Sequence, residues 1–326
     1  MKKLLAFILA AVMTASLCAC GSSNSGSEGS TSAKGSSTAG KPVAASDVKV
    51  GCIMIGDENE GYTEAHLKAV EEMKKNLGLT DDQVVIKTNI KEDEGCYDAA
   101  VDLAEQGCNI IIANSFGHES YILQAAADYP DVQFCHATGY QAKSSGLANM
   151  HNFFTNVYES RYLSGVVAGM KLNEMIQKGE VTKDKCKIGY VGAFPYAEVI
   201  SGFTSFYLGV KSVCDSATME VKYTNSWASF DLEKECAEQL IADGCVLISQ
   251  HADTTGAPTA CEAKKVPCVG YNIDMIPTAP DAALTSATIN WGPYYTYAVQ
   301  SVIEGTAIDT DWSKGCLLYT SPSPRD

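Results

Sequence analysis

One stretch decides the fold: VKVGCIMIGDENEGYTEAHLKAVEEMKKNL, residues 48–77. Its first eight residues, Val48–Ile55, form a short apolar run that predicts a buried β-strand. Glu64–Leu77 places four apolar side chains at helical spacing, which predicts an amphipathic helix packed on a core. A second strand is predicted at Val84–Thr88. A buried strand, a helix and another strand in succession are typical of parallel α/β proteins.

The alternation of strands and helices continues in two series, separated by a pause at Ala148–Thr155. The first series adds strands at Asn109–Ala113 and Val132–His136 and helices at Tyr97–Gln106 and His118–Asp128. The second has helices at Tyr158–Ile176, Ser201–Val213, Leu232–Asp243 and Ala257–Lys264 and strands at Lys187–Gly192, Met219–Tyr223, Val246–Gln250 and Pro267–Tyr271. We therefore predict an α/β fold with two Rossmann-like lobes, residues 48–152 plus 276–305 and residues 153–275. Crossings between the lobes are expected at 149–156, 274–280 and 289–293.

Polar and aromatic residues follow six of the predicted strands. Open α/β folds bind ligands at the carboxyl ends of their strands, so a cleft between two such sheets would collect these side chains. Rings can hold a planar ligand by its faces while amides and carboxylates bind its edge. The alternative is that the Asp and Asn residues only form turns and helix caps. The candidate ligand-binding residues are Glu58, Tyr62, Ser115, Phe116, Phe194, Trp227, His251, Asp253, Asn272, Asp274 and Trp291.

Several motifs carry a family resemblance, in order and across residues 48–305. Among them are GYTEAH (61–66), YESRYLSGVVAG (158–169), IGYVGAFP (188–195) and SQHAD (249–253). They resemble the basic membrane protein family of substrate-binding lipoproteins, which includes purine-nucleoside receptors. The resemblance implies a type I periplasmic-binding fold, a purine nucleoside or nucleobase ligand and an ABC permease partner. Nucleoside receptors of this family have a lysine where this sequence has Ile289-Asn290-Trp291, so a free base and a nucleoside both remain open.

The N-terminus has the pattern of a lipoprotein signal peptide. Met1-Lys2-Lys3 is basic, a short apolar run follows, and Leu17-Cys18-Ala19-Cys20 matches a lipobox. We interpret residues 1–20 as the signal peptide and Cys20 as the lipidated residue, with an ordinary cleaved signal peptide as the alternative. Residues 21–47, rich in Gly, Ser, Thr and Ala, are predicted to form a flexible tether. The expected location is the extracytoplasmic face of a bacterial cell membrane.

The last eleven residues, CLLYTSPSPRD at 316–326, resemble a translated sequencing adapter. They show no amphipathic period and break abruptly from the residues before them. We interpret the segment as an artefact and expect the natural chain to continue beyond Gly315. The alternative is a genuine proline-containing tail.

Composition and motifs narrow the function classes. The formal charge of −15 argues against a nucleic-acid partner, and with the tether it favours a monomer. No CxxC pair, GxSxG elbow or HExxH helix occurs after the signal peptide, and His251 with Asp253 lacks a third metal ligand. We therefore predict no catalytic residue, metal or cofactor. An ABC transport receptor is favoured over a ligand-binding module of a membrane sensor and over a nucleoside hydrolase.

Overall fold

The computed structural model describes residues 40–313 and 318–320, which fall within one compact unit, residues 35–326. The predicted signal peptide and Cys20 lie outside these residues. The first lobe contains β1 (Val50–Ile53), α1 (Gly61–Leu77), β2 (Val84–Lys87), α2 (Glu94–Glu105), β3 (Ile110–Ala113), α3 (Glu119–Asp128), β4 (Gln133–Ala137), α4 (Ala142–Ser145) and β5 (Met150–Phe153). The second lobe contains α5 (Val157–Gln177), β6 (Lys187–Gly192), α6 (Ala197–Val213), β7 (Thr218–Tyr223), α7 (Phe230–Ala242), β8 (Leu247–His251), α8 (Gly256–Lys264), β9 (Cys268–Asn272) and β10 (Ala283–Ile289). The chain then adds α9 (Gly292–Glu304) and β11 (Asp311–Trp312) to the first lobe and β12 (Leu318–Thr320) to the second sheet.

Each lobe is built on one six-stranded sheet. The strand orders are β11-β5-β4-β3-β1-β2 and β12-β10-β9-β8-β6-β7. Every pair is parallel except β10 with β12, which is antiparallel. Parallel neighbours need a crossover that returns the chain to the same edge, so the carboxyl ends of the strands line up at one edge of each sheet. The predicted α/β fold with two parallel lobes is confirmed.

The strands read as apolar runs because both faces of each sheet are covered. In β3, Ile110 lies in one hydrophobic cluster and Ile111 in another on the opposite face. In β8, Leu247 and Ile248 are divided in the same way. A strand buried on both faces has no polar side to alternate with its apolar one.

One strand lies where the sequence pattern suggested a pause. β5 carries two polar residues, His151 and Asn152, and both are buried. His151 Nε2 lies 2.9 Å from Gln133 Oε1, and Asn152 Oδ1 accepts a hydrogen bond from the backbone N–H of Ala142. Because its buried side chains include polar ones that form hydrogen bonds, a pattern of apolar residues does not reveal this strand.

The boundary between the lobes needs a correction. β10 pairs in parallel with β9, and Met275 and Ala279 lie in a core cluster of the second lobe. The predicted return to the first lobe at residue 276 is therefore wrong, because the chain returns only after Ile289. Crossings lie between β5 and α5 and between β10 and α9, within two of the three predicted segments. The third segment, 274–280, stays in the second lobe.

The helices α5 and α6 approach each other closely at two glycines. A Cβ added at Gly165 would lie 2.0 Å from the carbonyl oxygen of Phe206, and one added at Gly209 would lie 2.1 Å from that of Tyr162. Both neighbours are helix backbone, which cannot rotate away as a flexible side chain can. Glycine at these positions therefore sets the separation of the two helices.

Gly165→Ala is expected to lower the free energy of unfolding by about 1–3 kcal/mol or more, because the added methyl group must push α6 away. Met170→Ala is the control on the same helix, since Met170 is 61% exposed, and it should change stability by no more than about 0.5 kcal/mol. Urea denaturation of the two variants and the parent protein measures the difference. Equal stability of Gly165→Ala and the control would contradict the close crossing.

All five histidines are buried, and burial lowers the pKa of both His136 and His151 from 6.5 to about 4. Between pH 6.5 and about pH 4 the unfolded chain binds protons at these histidines that the folded protein does not. The free energy of unfolding therefore falls as the pH falls. We expect the parent protein to lose roughly 2 kcal/mol more than His151→Gln between pH 7 and pH 4.5, at about 1.4 kcal/mol per pKa unit. Urea denaturation at both pH values tests this, and parallel losses in the two proteins would contradict it.

Candidate functional site

A cavity of about 240 Å³ lies between the carboxyl ends of the two sheets. Each lobe contributes seven residues, and six of the predicted ligand-binding residues are among them. The first lobe supplies Ile55, Tyr62, Ser115, Phe116, Thr138, Tyr140 and Phe154. The second lobe supplies Tyr196, Ala197, Glu198, Trp227, His251, Asp253 and Tyr271. The parallel topology thus brings together residues that are far apart in sequence.

Aromatic rings from the two lobes meet at this cavity. The ring centroids of Phe116, which follows β3, and Tyr196, which precedes α6, are 5.4 Å apart across the cleft. Tyr196 in turn lies 5.9 Å from Trp227. Phe194 stacks behind Tyr196 at 5.1 Å and lies 5.0 Å from Trp227. Offset and tilted rings of this kind offer π-faces to a flat, unsaturated ligand.

Polar residues of the cavity also link the two lobes by a hydrogen bond. The backbone oxygen of Asp253 accepts a hydrogen bond of 3.0 Å from the N–H of Gly61 at the start of α1. Its side-chain Oδ1 accepts another of 2.6 Å from Asn272 Nδ2. Burial, with the nearby Glu60 and Glu233, raises the pKa of Asp253 well above its usual range. Burial and nearby acidic groups of this kind favour the protonated carboxyl group, which can donate a hydrogen bond through its O–H as well as accept one.

Glu60 fixes the first helix in place beside this carboxyl group. Its side chain caps α1 by accepting hydrogen bonds from the N–H groups of Tyr62 and Thr63. The capped turn orients Tyr62, whose hydroxyl donates to the backbone oxygen of Asn114 at 2.6 Å. Tyr62 thereby joins α1 to the end of β3 at the cavity wall.

A second group of polar residues surrounds His251 in the second lobe. Its Nε2 is 2.9 Å from Glu198 Oε1, and its Nδ1 is 3.5 Å from the hydroxyl of Tyr190. Burial is the main cause that lowers the pKa of His251, which favours the neutral ring. The buried guanidinium of Arg161 lies 3.7 Å from the ring centre of Tyr271 and donates through Nη1 to the backbone oxygen of Gln250. This arrangement places a buried positive charge close to the cavity wall.

Comparison with known proteins identifies the family. Residues 48–313 match the family described as ABC transporter substrate-binding protein, PnrA-like. A purine-binding protein of Brucella abortus is 34% identical over 264 residues, which cover 81% of this chain and 71% of the relative. The chain belongs to this substrate-binding protein family. A putative ABC transporter glucose-binding protein of Haloferax volcanii is 29% identical, over 82% of this chain and 64% of the relative.

Solved structures agree with the fold. The substrate-binding protein resembles an ABC transporter solute-binding protein from Conexibacter woesei with a TM-score of 0.65 and 22% sequence identity, over 86% of this chain and 92% of that one. The expected type I periplasmic-binding fold and the family resemblance are both confirmed.

Five predicted residues of the substrate-binding protein lie outside the cavity lining. Glu58 and Asp274 are exposed, and Asp274 accepts a hydrogen bond from the N–H of Ile276, so it forms a turn. Trp291 is fully buried and stacks on His66 at 4.4 Å, which places both rings in the core of the first lobe. The remaining two, Phe194 and Asn272, support lining residues from behind.

Sequence reasoning missed Glu198 and Arg161 as members of the site. Glu198 lies six residues after the end of β6, in the first turn of α6 rather than directly after the strand. Arg161 comes from the long helix α5, which no search of strand ends would include. A scan of the first turn of each following helix would have found Glu198, whereas Arg161 depends on the tertiary contact with Tyr271.

The described residues show neither metal-site nor membrane-spanning features. Within 40–313 and 318–320, no group of three or more His, Cys, Asp or Glu side chains has the arrangement needed to hold a metal ion. No helix in the same part of the chain is both long and apolar enough to cross a bilayer.

Proposed function

We propose that this substrate-binding protein is a lipid-anchored, extracytoplasmic receptor of an ABC importer that captures a purine nucleobase or nucleoside. The observation that supports this most is the cavity shared equally by the two lobes, with Phe116 and Tyr196 facing each other across it. A ligand packed against this pair of touching rings would contact both lobes at once. It would therefore stabilise the closed form, which the permease recognises.

The chemistry of the lining supports a purine. A purine has two wide π-faces and a rim of N–H groups and lone pairs. The aromatic walls suit its faces, and carboxylates and hydroxyls suit its rim. The Brucella relative is named for purine binding, whereas the Haloferax relative is named for glucose. Glucose is the competing ligand because sugars also stack on aromatic rings.

Closure follows from contacts that exist only when the lobes meet. The hydrogen bond from Gly61 to the Asp253 backbone and the contact between Phe116 and Tyr196 both join residues of different lobes. A ligand can shift the balance between open and closed forms only by its differential contacts with them. The short crossings at 154–156 and 290–291 are the proposed hinges.

The lipid anchor and the tether towards the permease are proposed from the sequence. The lipobox ending at Cys20 supports lipid attachment, and the Gly- and Ser-rich residues after it support a tether to the membrane. A tethered receptor stays close to the permease and remains free to turn towards it.

Binding of purines to the purified protein should depend on the aromatic walls. Adenine, guanine, hypoxanthine, their nucleosides and glucose are tested by isothermal titration calorimetry. Phe116→Ala and Trp227→Ala should each weaken purine binding by about 10-fold or more, because base–aromatic stacking is worth about 1–3 kcal/mol per ring. Phe230→Ala is the matched control, since Phe230 is an exposed ring that is not part of the cavity lining.

Two results would contradict this proposal. If the protein binds glucose and no purine, the receptor function stands but the assignment of a purine ligand is wrong. Unchanged purine affinity in both wall variants, with Phe230→Ala also unchanged, would show that the ligand lies elsewhere.

A further inference from the structure

Three hydroxyl groups of the lining have already donated their hydrogens within the protein. Tyr62 donates to the backbone oxygen of Asn114, Ser115 donates to Glu92 Oε1 at 2.7 Å, and Thr138 donates to its neighbouring backbone oxygen. Each hydroxyl oxygen then offers only lone pairs to the cavity. With the carboxyl group of Glu198, these oxygens add acceptors to the polar lining.

Glu198 is one of two carboxyl groups that the second lobe contributes to the lining, the other being Asp253. It is the second residue of α6, and its side chain is 27% exposed. Oε1 is buried and lies 2.9 Å from His251 Nε2. The exposed remainder of the carboxylate therefore belongs to the side that lines the cavity.

The surroundings hold Glu198 in this orientation. Gly202 is one helical turn later on the same face of α6, and a Cβ added there would lie 2.6 Å from His251 Nδ1. The glycine thus leaves room for the His251 ring beside Glu198. Arg161 packs against Tyr271, and the centre of the Tyr271 ring lies 4.6 Å from that of His251. A fixed acceptor discriminates between ligands better than a mobile one, because it cannot turn away from a mismatched group.

We propose that Glu198 is a specificity-determining residue that accepts a hydrogen bond from an amino group on the edge of the bound purine. This inference rests on the proposed function and adds to it the type of purine. An amino group donates to the carboxylate. An oxo group at the same ring position would place two acceptors against each other in a partly buried site, where an unmade hydrogen bond is costly. The receptor should therefore prefer amino-purines to their oxo counterparts.

The test compares matched pairs by isothermal titration calorimetry on the purified protein: adenine with hypoxanthine, and guanine with xanthine. The parent protein should bind the amino member of at least one pair about 10-fold or more tightly, as expected for about 1.4 kcal/mol. Glu198→Gln should bring that ratio towards one or reverse it, because the amide NH₂ group can donate to an oxo group. Glu198→Asp keeps the acceptor and should keep the direction of the preference.

Glu235→Gln is the control for the lost charge, because Glu235 is exposed on α7 and is not part of the cavity lining. Its affinity ratios for adenine over hypoxanthine and for guanine over xanthine should equal those of the parent protein. If the parent protein binds purines without preferring amino members, or if Glu198→Gln leaves both ratios unchanged, the role of Glu198 is wrong while the purine receptor stands. If no purine binds at all, the proposed ligand fails and the role of Glu198 fails with it.

Discussion

The structure depends on one topological constraint: parallel strands can be joined only by crossovers that pass over a face of the sheet. Each crossover here returns to the same edge, so every strand ends where its parallel neighbours end. Loops at that edge are free of the packing demands that fix the strands, and they can carry rings and charged groups. Two such edges facing each other make a cavity lined equally from both lobes. Residues as distant in sequence as Phe116 and Tyr196 are neighbours for this reason alone.

Much of the fold could be predicted from the sequence because both faces of the sheets are covered. Strands such as β1 and β3 carry no polar side chain, and amphipathic helices separate them. The prediction failed where strands carry buried polar residues that form hydrogen bonds. β5 carries His151 and Asn152, and β10 is rich in Thr and Ser, with Ser286 accepting a hydrogen bond from the backbone N–H of Met275. A hydrophobicity pattern does not identify a polar side chain that is buried and hydrogen-bonded inside the protein.

The site divides in a similar way into parts that the sequence reveals and parts that it does not. Rings and carboxyl groups directly after strands, such as Phe116 and Asp253, were found because topology decides where strand ends lie. The same rule selected Glu58 and Asp274, which are exposed, because it cannot tell a residue facing a cleft from one in a turn. Arg161 was missed because its position depends on how α5 packs against Tyr271.

The buried acidic groups give a physical reason for a closed form that needs its ligand. Glu60 comes from the first lobe, whereas Asp253 and Glu233 come from the second, and burial raises the pKa of all three carboxyl groups. Closing the cleft therefore brings Glu60 close to Asp253 and removes carboxyl groups from water, which is unfavourable for their ionised forms. Under the proposed function, a flat ligand packed against the aromatic walls offsets this cost, and its rim forms hydrogen bonds with the polar groups of the lining. In that proposal, affinity comes chiefly from the rings, and selectivity comes from the polar groups that line the cavity beside them.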